Sequence, residues 1–162
     1  MNVRTAEIED AAAIAEIYNF YVAESHSTFE TEAVSESEMR RRVVEIIEKY
    51  PFLVSEENDE IVGYCYAARY KQREGYKHSV EVSVYVRDGA SGKGIGAALY
   101  EQLFVALKSL DVHAVIAGIA LPNEASIKLH EKFGFEKVAH FRAVGFKFGR
   151  WIDVGYWQRF NR

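Results

Sequence analysis

The sequence predicts an α/β (α+β) fold for a single domain over residues 1–162, and three observations carry that expectation. Segments with the two-residue alternation of strands and segments with helically spaced apolar residues succeed one another along the chain. The run Gly92-Lys93-Gly94-Ile95-Gly96-Ala97 lies between a strand-like stretch and a helical one, where glycines let the backbone turn tightly. Hydrophobic residues make up 49% of the 162 and charged residues 27%, which suits one domain with a real core rather than a disordered or repeat protein.

Val3 to Thr5 reads as a short strand. Ile14, Ile17, Tyr18, Tyr21 and Val22 then recur at helical spacing and give a first helix one apolar face. Ser35 followed by Glu38 marks a capping box, Met39, Val43, Ile46, Ile47 and Tyr50 continue the helical stripe, and Pro51 prevents it running on. Phe52 to Ser55 and Ile61 to Tyr70 are strand-like around the turn residues Glu57-Asn58-Asp59, a hairpin signal, and the polar stretch Lys71 to Lys77 reads as a loop. Val80, Val82, Val84 and Val86 alternate with Glu81, Ser83 and Tyr85, so this strand has an aliphatic face and a chemically mixed one. Glu81 points away from the valines. Leu99, Leu103, Ala106, Leu107 and Leu110 mark the helix after the glycines, Val115 to Ala120 is a buried strand, and Asn123 caps a helix that stops at Gly134. The aromatic-rich tail from Phe135 to Phe160, with turn signals at Gly145 and Gly149-Arg150, reads as two antiparallel strands. The order is β-α-α-β-β-β-α-β-α-β-β.

Composition excludes several function classes. Cys65 is the one cysteine and sits in an apolar run, so no internal disulfide forms and a reducing compartment is favoured. The N-terminus has no apolar core behind a basic start and no stretch approaches the length of a membrane span, which leads to an expected cytoplasmic protein with no membrane partner. Net charge is -4 with the signs interspersed, leaving no basic stripe for nucleic acid. Any bound anion must be held locally.

The glycine junction supplies such a place, because the first amides of a helix lack intrahelical partners and point at whatever anion sits there. Gly-rich turns that bind nothing are also common, and the glycines alone leave the two readings even. Gly92-x-Gly94-x-x-Ala97 formally matches the dinucleotide fingerprint, but two helices and several strands precede it and the next strand ends Ile119-Ala120-Leu121-Pro122, without a carboxylate. A nucleoside-triphosphate loop fails too, since Gly94 rather than Ser or Thr follows Lys93.

The element order together with Ser91-Gly92-Lys93-Gly94-Ile95-Gly96 and with Asn123 to Phe135, an asparagine-led helix ending in Gly-Phe, resembles the GNAT N-acetyltransferases. Ser91 departs from the Gln or Arg of that superfamily's loop, and His130 stands where many members have a tyrosine proton donor. Thr28-Phe29-Glu30-Thr31-Glu32, Tyr50-Pro51-Phe52-Leu53-Val54, Val80 to Val86, Leu121-Pro122-Asn123 with Leu129-His130-Glu131, and Trp151 to Arg159 further resemble the phosphinothricin N-acetyltransferase group over nearly the whole length. The resemblance implies a GNAT-like domain, with a mixed, mostly antiparallel twisted sheet flanked by about four helices. It implies a homodimer that uses acetyl-CoA, without a metal, to acetylate a small amino acid or analogue such as phosphinothricin or methionine sulfoximine.

Roles follow from that resemblance and from what the reaction needs. Glu81 occupies the group's general-base position; taken alone it reads as an ordinary glutamate on the wet face of a sheet, and the matched context reverses this. His130 is expected either as the acid or as a residue that orients substrate. The resemblance places Val84, Tyr85 and Val86, splayed from the neighbouring strand, along the acetyl and pantetheine arm with Asn123 also touching CoA, and Gly92, Lys93, Gly94, Ile95, Gly96 and Ala97 around the pyrophosphate. Lys71 and Arg73 match basic positions of the group and are expected near the acceptor's carboxylate, with Phe29 and Tyr76 as walls. Two alternatives stand beside this reading: a CoA-binding sensor without transfer, and an acetyltransferase of a protein or peptide amine.

Overall fold

Asn58 and Asp59 adopt φ of 52° and 65°, the left-handed backbone that a two-residue hairpin loop demands, and so join β2 (Phe52–Glu57) to β3 (Glu60–Arg69). The computed structural model describes residues 1–162. β1 (Asn2–Thr5) pairs with β2, and α1 (Ala11–Glu24) and α2 (Glu36–Ile47) lie between them in sequence. Ser35 caps α2 by accepting from the Glu38 amide at 3.1 Å, whereas the Glu38 carboxylate turns outward to Arg41 and Arg42 instead of closing the capping box. α2 stops at Ile47, so Tyr50 lies beyond its end.

β4 (Ser79–Val86), α3 (Ile95–Leu107) and β5 (Ala114–Ala120) form a parallel crossover unit, followed by α4 (Glu124–Lys132) and the hairpin β6 (Glu136–Lys147) and β7 (Arg150–Phe160). The seven strands make one sheet in the order β1-β2-β3-β4-β5-β7-β6, antiparallel everywhere except at β4–β5. Helices cover both faces. On one, Leu99, Leu103 and Leu107 of α3 pack with Val80, Val82 and Val115; on the other, Ile14, Ile17, Met39 and Val43 pack with Phe52, Val54 and Tyr64. The valines of β4 therefore face α3, and Glu81, Ser83 and Tyr85 face the side of α1.

One reading of local sequence gains detail and one needs correction. Lys71 to Lys77 is a loop that contains a single 3-10 turn, Glu74–Tyr76. Gly145 is no turn: it lies inside β6, next to a bulge between Phe141 and Gly145 where Ala143 takes a φ of 50° and donates its amide to Asp153 Oδ1 at 2.7 Å. Glycine is required there for close packing, because a Cβ at 145 would collide with the Phe29 ring. The turn itself is at Phe148 and Gly149, both left-handed.

Candidate functional site

β4 and β5 share only the rungs Ser79↔Ala114, Val80↔Val115 and Glu81↔Ile116, and beyond Glu81 the two strands diverge. A parallel pair that separates leaves backbone and side chains of both strands lining a wedge. A cavity of about 700 Å³ occupies it, running from Val82–Val86 on one side to Gly118–Ala120 on the other and on to the starts of α3 and α4.

The start of α3 is an amide cradle. Gly92 and Gly94 both have φ of 79°, with nothing within 4 Å of where a Cβ would stand, so it is the left-handed backbone and not crowding that selects glycine. The first backbone bond of the helix runs from Ala98 N to Gly94 O at 3.0 Å, leaving the amides of Ile95, Gly96 and Ala97 without partners. Gly96 is glycine for a different reason. A Cβ there would lie 3.2 Å from Leu129 Cδ2, and its absence lets the ends of α3 and α4 close on each other.

Of the residues expected around a cofactor, Val84, Tyr85 and Val86 line the cavity, as do Gly92, Gly94, Ile95, Gly96, Ala97 and Asn123. Lys93 belongs to the loop but is not among the lining residues. Asn123 has a second duty, accepting from the Ser126 amide at 3.1 Å to cap α4.

His130 also lines the cavity, and it is buried with both ring nitrogens engaged. Nδ1 lies 2.7 Å from the Ser126 carbonyl, which can only accept, so Nδ1 carries the proton. Nε2 then accepts from the Tyr100 hydroxyl at 2.9 Å. Burial pushes the His130 pKa down, in keeping with this neutral tautomer.

Glu81 stands at the vertex of the wedge, on the last paired rung, just outside the lining of the cavity. Burial pushes its carboxyl pKa up, and no cation is paired with it. Across β5 the ring of Tyr156 leans over Gly118, whose Cβ would sit 3.2 Å from Tyr156 Cε1, and burial together with the Glu81 carboxylate raises the Tyr156 hydroxyl. The Glu81 carboxyl thus acts electrostatically on a phenol across β5, with no hydrogen bond between them.

The expected substrate residues lie outside the cavity. Lys71 Nζ sits 5.5 Å from the centroid of Tyr70 and 5.9 Å from that of Tyr76, a small cationic and aromatic cluster in the loop before β4. Arg73 is exposed in the same loop. Phe29 packs on Gly145 at β6 instead. Sequence reasoning missed Tyr21, Ser25, His26 and Ser27, which reach the cavity from α1 and the segment after it, and Tyr100, which lines it from α3; it also missed Tyr156, which stands outside the cavity over Gly118. No local pattern marks them: Tyr100 reads as one more apolar position of α3, and the others arrive from elements remote in sequence from the glycine turn.

The sequence profile of the acetyltransferase (GNAT) domain matches residues 3–155. The chain belongs to the GNAT N-acetyltransferase family. Among GNAT relatives, the phosphinothricin N-acetyltransferase of Streptomyces coelicolor is 42% identical, over 98% of this chain and 95% of that one. The L-methionine sulfoximine/L-methionine sulfone acetyltransferase of Salmonella typhimurium is 36% identical, over 98% of this chain and 93% of that one. An acetyltransferase structure from Salmonella typhimurium, solved with its cofactor acetyl-CoA, superposes with a TM-score of 0.97 at 36% identity, covering 100% of this chain and 94% of that one. GNAT enzymes use acetyl-CoA, and the unpartnered amides and the wedge between β4 and β5 fit a long ligand with an anionic diphosphate.

Proposed function

We propose that this GNAT enzyme acetylates the amino group of a small amino acid or analogue, of the phosphinothricin, methionine sulfoximine or methionine sulfone type, and works as a cytoplasmic homodimer. The observation that carries the chemistry is Glu81, a desolvated and unpaired carboxylate at the vertex of the wedge whose far end is the amide cradle. The names of the relatives carry the substrate class. A row of exposed apolar side chains on the β6–β7 hairpin, including Phe141, Val144, Phe146 and Trp151, supports self-association.

Acetyl-CoA supplies a thioester whose carbonyl carbon an amine can attack. Gly92, Gly94, Ile95, Gly96 and Ala97 hold the pyrophosphate through backbone amides, with Lys93 beside them in the loop. Val84, Tyr85, Val86 and Asn123 line the arm. Glu81 takes a proton from the acceptor ammonium, directly or through one water, so that the nitrogen lone pair becomes available. A carboxyl with a raised pKa is a better match to that proton than an ordinary one. Arg73, with Lys71 and Tyr76 in the loop that leads into β4, takes the acceptor carboxylate from outside the cavity, and Phe29, seated on Gly145, is left out of the acceptor wall. His130 keeps its Nδ1 proton on Ser126, and we assign it the positioning of Tyr100 and α4 in place of proton donation.

The test is a panel of amines with acetyl-CoA, following release of free thiol. Methionine sulfone or sulfoximine should react and its carboxyl-amidated form should not, while Arg73→Lys should raise the acceptor KM roughly tenfold and leave acetyl-CoA affinity unchanged. Equal use of acid and amide, or reaction with peptides alone, would sink the amino-acid reading. Binding of acetyl-CoA without any transfer would leave a sensor.

A further inference from the structure

Lys147, at the end of β6, is 4% exposed and has no carboxylate partner. A buried ammonium is costly, and an apolar side chain of similar volume would fill the space without that cost. Three backbone carbonyls solvate it: Tyr21 O at 3.2 Å, Ser25 O at 2.6 Å and Thr28 O at 2.8 Å. Two of these belong to the end of α1 and the residue after it, where orphan carbonyls and the negative end of the helix favour a cation. One side chain thus ties down the whole turn by which the chain leaves α1.

That turn roofs the cavity. Ser25, His26 and Ser27 all line it. His26 reaches over the mouth to the loop after β5, with Nε2 donating to Pro122 O at 3.0 Å, and Arg150 donates to His26 Nδ1 at 3.2 Å, which selects that tautomer. Arg150 opens β7, on the other side of the turn from Lys147. Beyond the roof, Phe29 lies on Gly145 of the same hairpin. The hairpin tip therefore holds the segment at its base through Lys147 and at its far edge through Arg150 and His26.

We propose that the β6–β7 tip is a clamp which sets the height of the 25–28 roof over the wedge, and that Lys147 is the positioning residue that fixes where the acceptor sits. The inference rests on the wedge being the acetyl-CoA and acceptor site. Ser25, His26 and Ser27 line the cavity from the side of α1 and the pyrophosphate amides from the start of α3; with the acceptor placed under this roof, loosening the clamp misplaces it and admits water while the amides that hold the cofactor keep their geometry. Lys147 touches neither substrate; it acts through the carbonyls it gathers.

The test compares Lys147→Met, Lys147→Arg and Arg150→Gln with the wild type. Hydrogen exchange of the peptide spanning residues 20–30 should accelerate in Lys147→Met, and to a smaller degree in Arg150→Gln, with exchange in α3 and β4 unchanged. In turnover, the acceptor KM should rise roughly tenfold or more in Lys147→Met and acceptor-independent hydrolysis of acetyl-CoA should increase, while the calorimetric Kd for acetyl-CoA stays within about twofold. Lys147→Arg, which keeps the charge, should recover part of both effects. A folded Lys147→Met with wild-type exchange at 20–30 and wild-type coupling overturns the clamp. Should that variant not fold, Arg150→Gln, altered at an exposed side chain, decides in its place, and wild-type exchange there overturns the proposal. Failure of the wild type to bind acetyl-CoA counts against the assigned function instead, and the exchange result still judges the clamp.

Discussion

Glu81, proposed above as the base, carries a cost to the fold that can be measured apart from its chemistry. A carboxyl whose pKa rises on folding binds more protons folded than unfolded between its ordinary value of 4.5 and the raised one. Its stabilising share is complete below the ordinary value and is lost as pH climbs through the raised one. At neutral pH the ionised group therefore opposes folding, and Glu81→Gln should raise Tm near pH 7 with the difference vanishing below about pH 4, measured by thermal denaturation across pH. The same variant should lose about a hundredfold or more in kcat near neutrality, a defect that shrinks at high pH where more acceptor amine is already neutral. A slower enzyme with unchanged stability would mean that the carboxylate is better solvated than its burial at the vertex implies.

At the scale of elements, the site is made by a junction and by a divergence. The junction is written in the chain: left-handed glycines at 92 and 94 end one element, and the unpaired amides of 95 to 97 begin the next. Gly94→Val places a β-branched side chain where φ is 79°, which costs about 1–2 kcal/mol for leaving glycine's conformational range and tilts the amides off their common target. Acetyl-CoA binding by calorimetry should be abolished while far-ultraviolet circular dichroism stays that of the wild type. The divergence is not written in the chain. Nothing in Val82 to Val86 or in Ala117 to Ala120 announces that the parallel pairing stops at Glu81, because strand propensity describes a segment and not the distance to its neighbour.

For the whole molecule, acetyl-CoA at about 100 times its Kd should stabilise by about 2.7 kcal/mol, which for a chain of this size is a Tm rise of roughly 5 to 10 °C in differential scanning fluorimetry. An unmoved Tm at saturation would remove the cofactor assignment. The outer hairpin carries a second whole-molecule property. Trp151 is 68% exposed beside Phe146, at a centroid distance of 4.8 Å, and with Phe141, Val144 and Phe148 also exposed on the same hairpin it forms the apolar surface on which the proposed homodimer rests. Trp151→Glu should shift sedimentation from dimer to monomer; a wild type that sediments as a monomer at high concentration would end the homodimer reading.

The sequence by itself determined the order of the elements, the amide cradle, the caps at Ser35 and Asn123, and the face on which Glu81 stands. Each of these is a local matter, decided by the backbone preferences of a few adjacent residues or by a period of two or 3.6. It misread Gly145, since a glycine chosen for contact with Phe29 looks the same in a sequence as one chosen for a turn. Only the tertiary structure decided that β4 and β5 part at Glu81 and that Tyr156 leans over Gly118. It alone closed both nitrogens of His130 with Tyr100 and Ser126, and it alone laid the 25–28 segment across the cavity under Lys147. Those are meetings of groups from elements far apart in the chain, and no short-range preference encodes them because their energies exist only once the sheet and its helices have assembled.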